Sequence, residues 1–564
     1  MNQKLENILN VSLDATEDEL RKADSLSTGY NWRDNTWEII VKYSGSLESI
    51  RNRYNVYIKE LLNYYAIIVA DKATIELISQ EDVIDYVEKP KSLYYQIERT
   101  KTAACVGSVR ADGNILSGKG VIVGVIDTGI DIFDNAFRNS DGTTRILNIY
   151  DQTTGEKYDK QSIDEYIRLN EDLSGGTFSY DNAPGVDNIM HGTDVSYIAA
   201  GSLGVAYEAD IIAVKMGYSI NNQFPRTTSL MDAIDYIIRK AIEYRKPVAV
   251  NISYGCNYGA HNGNTLLESF IDDISKSYRC VICVGSGNEA DKAIHFGGII
   301  NTGQVQTAYL SVGEYQSAID IQIWKNYWDT IDVMLINPRG EQIGIITEGR
   351  INRYETYNTE IITLLGEPSP YNIYQEIYIN LIPKTDYILS GIWQIVLMAG
   401  SIRAGEYNIW LPSSQALGYA TAFNNPTADG TITIPATARN CIAVGAYNAY
   451  TNSYAAFSGR GFDNSIRNVN AGVKPDITAP GVDISIARQR GNDITYRNVT
   501  GTSYAVPVVT GAAALLMQWG IVMGNDRFMY GEKLKAALID GSKPVGLVGI
   551  TRNDNQPDPR TGWG

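Results

Sequence analysis

The stretch VIVGVIDTG, residues 121–129, decides the fold class. Its run of apolar residues and one glycine predicts a buried strand that ends at Asp127 and a glycine-containing turn. Similar apolar strands are expected at 248–252 and 281–284, and residues 231–244 have a helical pattern. Strands that alternate with helices predict a parallel sheet covered by helices on both faces, which is an α/β fold.

Residues 1–96, upstream of this sheet, predict a separate α+β unit. Thr16 and Glu19 have the spacing of a capping box at the start of a short helix. Strand patterns at 37–43, 65–70 and 83–88, with a helical pattern at 71–80, complete the unit. A polar break with a proline follows at 89–92, and residues 93–97 look extended.

Residues 299–418 interrupt the α/β pattern. Apolar and polar residues alternate there, as at 319–323 and 407–411, and turn signals such as Asn337-Pro338-Arg339-Gly340 separate the runs. Short alternating strands with no helix between them predict an inserted antiparallel β-sandwich of jelly-roll type. The insert divides the α/β domain into 97–298 and 419–564. Its apolar residues are expected to pack it on that domain, an interpretation we favour over ligand binding.

Composition excludes several classes of function. The 564 residues include 48 Lys and Arg against 64 Asp and Glu, a net charge of −16, which argues against nucleic acid or an anionic membrane as the main partner. No apolar run approaches the roughly 20 residues that span a bilayer, and the N-terminus lacks the pattern of a Sec signal peptide. The length predicts two or three domains.

The five cysteines predict reduced core residues and no disulfide framework. Cys280 and Cys283 raise the alternative of a zinc site. A spacing of three on a strand points the two thiols to opposite faces, whereas zinc ligands must converge, so burial is the favoured interpretation. The sequence predicts no metal centre, and it leaves calcium open because Asp131 and Asp134 lie on one loop.

Three short segments carry residues suited to catalysis, and each has a structural alternative. Asp127 follows a buried strand, where an aspartate can simply form a turn. His191 is one of three histidines and starts a helical pattern, where it could equally be structural. Ser503 precedes a long apolar helix, where an N-cap serine is the simpler interpretation.

Taken together, these segments resemble the subtilisin family, which has D-T-G, H-G-T and G-T-S-x-A-x-P motifs in this chain order. The resemblance covers most of residues 100–290 and 430–564. It implies a serine endopeptidase in which Ser503 is the nucleophile, His191 the general base and Asp127 its orienting partner. It further implies that Asn288 donates to the oxyanion and that the cleft is lined by Ser253, Tyr254, Gly255, Ser286 and Gly287.

Three positions depart from the family pattern. Asp194 stands where another histidine is often found, Tyr504 where methionine is usual, and Cys256 where a second glycine commonly follows Gly255. None of the three removes a catalytic side chain, so the departures concern the shape of the cleft.

The N-terminal unit resembles the family's prodomain, an intramolecular chaperone and inhibitor. The resemblance implies a zymogen that cuts itself between Gln96 and Ile97. A prodomain that stays bound after cleavage would then block the cleft and keep the enzyme latent.

With its inserted sandwich and its many Tyr, Asn and Ile residues, the chain is most similar to the clostridial Csp germination proteases. That resemblance implies a spore protein, in the cortex or coat region, that activates the precursor of a cortex-lytic hydrolase by limited proteolysis. Two alternatives are a broad-specificity intracellular subtilisin and a noncatalytic scaffold or sensor with a vestigial triad.

Overall fold

The computed structural model describes residues 2–95, 110–111, 114–171, 183–217, 224–344, 346, 350–462, 473–490, 493–546 and 557–564. The predicted scissile pair Gln96–Ile97 and Cys105 lie outside these residues.

The N-terminal unit is a five-stranded antiparallel sheet with helices, as the sequence predicts. Thr16 and Glu19 form the capping box, with Glu19 N 3.2 Å from Thr16 Oγ1. The first helix was not predicted, because its apolar residues have no capping signal before them. The elements are α1 (Asn7–Asp14), α2 (Glu17–Lys22), α3 (Asp24–Ser27), β1 (Tyr30–Asn31), β2 (Thr36–Tyr43), α4 (Glu48–Tyr54), β3 (Tyr57–Leu61), β4 (Tyr65–Ala70), α5 (Lys72–Ile78), β5 (Ile84–Glu88) and β6 (Tyr94–Tyr95).

The central domain is built on a nine-stranded sheet in the order β11-β10-β12-β9-β13-β15-β27-β28, with β29 also paired to β27. All its pairs are parallel except β10–β11 and β27–β28, so the predicted α/β class is confirmed. Before the insert its elements are β7 (Arg110–Ala111), β8 (Asn114–Ile115), β9 (Ile122–Asp127), β10 (Ile146–Asp151), β11 (Glu156–Asp159), α6 (Lys160–Glu171), α7 (His191–Ala200), β12 (Asp210–Lys215), α8 (Thr227–Tyr244), β13 (Val248–Ile252), β14 (Tyr254–Gly255), α9 (Leu266–Ser277) and β15 (Cys280–Gly285).

The inserted unit consists of two antiparallel sheets that pack face to face. Their strand orders are β16-β25-β18-β23-β22-β21 and β20-β19-β24-β17-β26, and one apolar core lies between them. The strands are β16 (His295–Ile299), β17 (Val305–Val312), β18 (Ile319–Asn326), β19 (Ile331–Ile336), β20 (Gln342–Ile343), β21 (Ile351–Glu355), β22 (Thr359–Leu365), β23 (Tyr374–Pro383), β24 (Gly391–Ala399), β25 (Glu406–Trp410) and β26 (Ala422–Phe423).

The sandwich extends a few residues beyond each expected boundary, 299 and 418. Its first strand, β16, pairs with β25, and its last, β26, pairs with β17, so the unit runs from His295 to Phe423. The glycine-rich sequence of β16 and the two-residue length of β26 give neither strand a clear alternating pattern.

The chain then returns to the central domain with β27 (Ile442–Asn448), β28 (Ser453–Tyr454), β29 (Ile477–Pro480), β30 (Ile484–Arg490), β31 (Asp493–Val499), α10 (Thr502–Met517) and α11 (Gly531–Asp540). Cys280 and Cys283 pack into apolar clusters on opposite faces of the sheet, and burial raises the pKa of each thiol to about 12.

One segment is longer and more apolar than the sequence patterns indicated. Residues 502–522 form a continuous helix that is long and apolar enough to cross a membrane, the single such helix in the part of the chain described. An 18-residue apolar stretch of this helix is 67% buried inside the protein, which is typical of a core helix.

The N-terminal unit lies between the other two units. One side of its sheet shares an apolar cluster with α8 and α9, in which Tyr65 stacks edge-on against Phe270 with ring centroids 5.2 Å apart. The other side shares a cluster with the outer face of the sandwich, including Ile362, Leu364 and Tyr378. The sandwich therefore packs on the N-terminal unit as well as on the α/β domain, which was the expected partner.

Candidate active site

Asp127 and His191 form a buried hydrogen-bonded pair. Asp127 is the last residue of β9, and His191 is the first residue of α7. Asp127 Oδ1 lies 2.6 Å from His191 Nδ1 and also accepts a hydrogen bond from Thr128 N at 2.8 Å. A buried carboxylate on Nδ1 holds the imidazole in one orientation and directs Nε2 to the opposite side, which is the arrangement that a general base needs.

The turn before His191 is held by Asp187, which the sequence reasoning did not identify. Met190 precedes the helix with a φ of 67°, and its N–H donates to Asp187 Oδ1 at 2.7 Å. Asp187 Oδ2 accepts from both the N–H and the hydroxyl of Thr193 at 2.8 Å. A buried carboxylate at a helix N-terminus satisfies free N–H groups there, so Asp187 fixes the start of the histidine helix.

Ser503 is the second residue of α10 and is fully buried. Pro507 lies in the second turn of this helix. Proline has no N–H, so the Ser503 carbonyl loses its partner four residues on. Ser253 Oγ donates to that carbonyl at 3.3 Å instead, and this bond ties the predicted substrate strand to the predicted nucleophile.

The residue after Ser503 contacts the histidine. The ring of Tyr504 packs edge-on against the imidazole of His191, with centroids 5.3 Å apart. Burial raises the pKa of the Tyr504 hydroxyl well above its ordinary value, so Tyr504 stays neutral beside the imidazole. The structure thus brings the start of α10 onto the histidine helix, as the predicted triad requires.

Asn288 follows β15 and lies against the start of α10, the helix that carries Ser503. Its Oδ1 accepts hydrogen bonds from Thr502 N at 3.1 Å and from Thr502 Oγ1 at 3.0 Å. Its Nδ2 is buried, with no hydrogen-bond partner within the described residues. A buried donor without a partner is costly unless a ligand satisfies it, so this N–H is suited to an oxyanion.

The predicted substrate strand is paired with the end of the N-terminal unit. Strand β14 pairs antiparallel with β6, with Tyr254 opposite Tyr95 and Gly255 opposite Tyr94. Asn251 supports this strand, because its amide donates to Ser253 Oγ at 3.0 Å and accepts from the hydroxyl of Thr510 at 3.2 Å. An added strand of this kind is how an extended peptide binds a sheet edge.

Ser286 and Gly287 follow the end of β15. Ser286 N donates to Val444 O at 2.9 Å, and Gly287 has a φ of 95°. A Cβ on Gly287 would lie 2.5 Å from the side chain of Thr433, so only glycine fits here.

The two loop carboxylates considered as calcium ligands accept hydrogen bonds from backbone N–H groups of their own loop. Asp131 accepts from Phe133 N at 3.1 Å, and Asp134 accepts from Ala136 N at 2.9 Å at the start of a 3₁₀ turn. Among the described residues there is no group of three or more His, Cys, Asp or Glu side chains that could hold a metal ion.

A model for the Csp protease B prodomain matches residues 3–91, and the model for the subtilase family matches residues 118–368 and 404–564. The chain belongs to the subtilase family. The N-terminal unit is accordingly a Csp-type prodomain.

The structure is similar to that of the Clostridium perfringens CspB protease, with a TM-score of 0.72 and 34% identity; the match covers 80% of this chain and 91% of that one. Two curated relatives are the subtilase-type proteinase RRT12 of Saccharomyces cerevisiae, 33% identical over 22% of this chain, and subtilisin-like protease 10 of Arthroderma otae, 34% identical over 21%. The chain spans 23% and 27% of their respective lengths.

Proposed function

We propose that this subtilase is a serine endopeptidase that cuts its own chain between Gln96 and Ile97 and keeps the prodomain bound. The observation that carries the proposal is the pairing of β6 with β14, because it lays the end of the prodomain along the strand that is bonded to Ser503. In this mechanism Ser503 Oγ attacks the scissile carbonyl while His191 Nε2 takes its proton. Asn288 Nδ2 donates to the oxyanion, and His191 then protonates the leaving amine of Ile97, which breaks the peptide bond and leaves Gln96 as an ester on Ser503. A water molecule that gives its proton to His191 Nε2 hydrolyses this ester and frees Ser503.

The register of the strand pair supports the choice of bond. Tyr94 and Tyr95 lie opposite Gly255 and Tyr254, so the strand direction leads toward Ser253. Ser253 is the residue bonded to Ser503, and Gln96 is the next residue after the pair. This register supports cleavage after Gln96.

Retention of the prodomain is supported by its burial on both sides. Apolar clusters join it to α8 and α9 on one side and to the sandwich on the other. Burial of this kind stabilises an interface in proportion to its area. We propose that cleavage alone does not release the prodomain and that the mature protein is latent.

The biological role is proposed from similarity. The Csp-type prodomain and the likeness to the Clostridium perfringens CspB protease favour a spore protein, in the cortex or coat region, that acts during germination. Its protein substrate would be the precursor of a cortex-lytic hydrolase, activated by limited proteolysis.

Mass spectrometry of the purified full chain tests the proposal. Wild type should yield two fragments divided after Gln96 that co-elute in gel filtration, and Ser503→Ala should remain intact. A small fluorophosphonate can reach Ser503 only while the cleaved end of the prodomain is out of the cleft, so it should label wild type slowly and Ser503→Ala not at all. Equal cleavage of both proteins would disprove self-processing, and absence of both cleavage and labelling would favour the noncatalytic scaffold. Rapid digestion of casein would favour a broad-specificity protease.

A further inference from the structure

We infer that Asp194, Arg488 and Arg497 form a clamp that positions His191 against Ser503. The inference rests on the proposed serine mechanism and concerns residues that lie outside the triad. Asp194 is one turn along α7 from His191, and the two arginines lie on the β30–β31 hairpin.

The clamp closes around a fully buried carboxylate. Arg488 Nε donates to Asp194 Oδ1 at 3.1 Å, its Nη2 contacts the same oxygen, and Arg497 Nη2 contacts Oδ2. Asp194 has no exposed surface. A buried charge of this kind is strongly destabilising unless it is paired, so Asp194 and the hairpin arginines depend on each other.

The same arginines also hold the residue before the histidine. Arg488 Nη2 donates to Met190 O at 2.9 Å, and Arg497 Nη2 donates to it at 3.1 Å. Asp187 holds the N–H of Met190 from the other side. The backbone on which His191 begins is therefore fixed at both its N–H and its carbonyl.

The β30–β31 hairpin connects this clamp to the nucleophile, Ser503. Strand β31 ends at Val499, four residues before Ser503, and Gly501 N donates to Gly481 O at 2.8 Å at the base of the hairpin. A short, hydrogen-bonded piece of chain thus links the arginines to Ser503. Displacements of about 1 Å between reacting groups lower rates by roughly a hundredfold, so the clamp should act on the chemical step.

A second clamped carboxylate in the same domain provides a matched control. Asp476 is buried, and it is 2.8 Å from Lys474 Nζ and 2.6 Å from Lys535 Nζ. It also accepts from Ala443 N at 2.7 Å. Ala443 lies at the N-terminal end of β27, whereas Asp127 lies at the C-terminal end of β9. Because these strands are parallel, the ion pairs of Asp476 lie at the end of the sheet opposite to the candidate active site.

The experiment compares Asp194→Asn, Arg488→Gln and Asp476→Asn in the full chain. Three quantities are measured: the self-cleavage rate, the melting temperature, and the concentration dependence of fluorophosphonate labelling. The first two variants should cleave at least ten times more slowly than wild type. Their limiting labelling rate should fall to the same extent while the half-saturating concentration stays within twofold. Asp476→Asn should lose a similar amount of stability and cleave at the wild-type rate.

Two results would overturn the clamp while leaving the proposed function intact. One is a wild-type cleavage rate in Asp194→Asn or Arg488→Gln. The other is an equal slowing of self-cleavage in Asp476→Asn, which would mean that lost stability alone explains the slower cleavage of the clamp variants. If wild type itself neither cleaves nor reacts with the fluorophosphonate, the serine mechanism fails and the clamp fails with it.

Discussion

The prodomain contacts the rest of the chain along two surfaces, and one of them reaches the cleft. The surface on the α/β domain, which we call the catalytic interface, combines an apolar cluster with ion pairs such as that of Lys59 with Asp232, and it ends in the backbone pairing of β6 with β14. The surface on the sandwich, the sandwich interface, is also apolar and encloses the titratable side chains of Glu376 and Asp320, both buried. If the proposed function holds, inhibition and retention have separate locations: we expect the catalytic interface to block the cleft and the sandwich interface to add binding that the cleft does not supply.

The largest expected effect lies at the cleft and leaves both interfaces unchanged. Asn288→Ala removes the donor to the oxyanion, so self-cleavage should slow about a hundredfold to a thousandfold, a magnitude known from subtilisin, the namesake of this family. The rate is measured by intact mass over time. The melting temperature is measured in parallel, because the variant also loses the two hydrogen bonds from Thr502, and a slowing of less than about tenfold would remove Asn288 from the proposed site.

The second effect separates the two interfaces. Ile361 and Ile362 are neighbours on β22, but Ile361 packs inside the sandwich and Ile362 packs against the prodomain. Truncating a buried isoleucine to alanine costs about 2–5 kcal/mol. Ile362→Ala should therefore speed dissociation of the cleaved prodomain at least tenfold, measured by surface capture of a tagged prodomain.

Ile361→Ala is the matched control for that measurement. It should lower the melting temperature of the sandwich without a comparable change in dissociation. Equal dissociation from the two variants would mean that the sandwich interface does not hold the prodomain.

A third effect is a pH dependence at the sandwich interface. Burial raises the pKa of Glu376 from 4.5 to about 8, and the amide of Asn7 in the prodomain donates to it at 3.2 Å. The docked state favours the protonated acid, whereas the released state ionises near the ordinary value. Docking should therefore weaken as pH rises from about 4.5 to 8 and change no further above that range.

Glu376→Gln should remove this part of the pH dependence, because glutamine cannot ionise. The difference in dissociation rate between wild type and Glu376→Gln should widen from pH 5 to pH 8. Glu355→Gln, a change at an exposed carboxylate on β21, two strands away in the same sheet, serves as control. Parallel pH profiles for wild type and Glu376→Gln would contradict the assignment.

The smallest effect is expected at the rim of the sandwich interface. Arg353 lies 2.8 Å from Glu19 and 2.9 Å from Asp14, and its side chain is 40% exposed. Exposed ion pairs contribute up to about 1 kcal/mol and are screened by salt. Arg353→Met should speed dissociation less than about fivefold in low salt and have no effect near 1 M salt. An effect that persists in high salt would indicate lost packing.

Sequence reasoning located the residues whose signal is local. Asp127, His191 and Ser503 each end a strand or begin a helix within a short motif, and the capping box of Thr16 and Glu19 is readable in four residues. These features depend on residues that are close together in the chain, so they can be predicted from the sequence alone.

The features that were missed join distant parts of the chain. Arg488 reaches Asp194 across 294 residues, and nothing near either residue indicates the pairing. The replacement of a helical hydrogen bond by Ser253 Oγ depends on Pro507, whose effect becomes visible only when the helix start is known. The contact between the sandwich and the prodomain was missed because an alternating apolar and polar pattern predicts an apolar face but does not indicate which part of the chain covers it.

The burial of Ile362, Leu364 and Tyr378 against the prodomain has a consequence for how these units can be exchanged. A prodomain taken from a subtilase without the insertion would lack the surface that covers this face. A chain that lost the insertion would in turn leave one side of its prodomain open to water. We therefore expect that the prodomain and the insertion, separated by about 200 residues in sequence, can be transplanted into another subtilase only together.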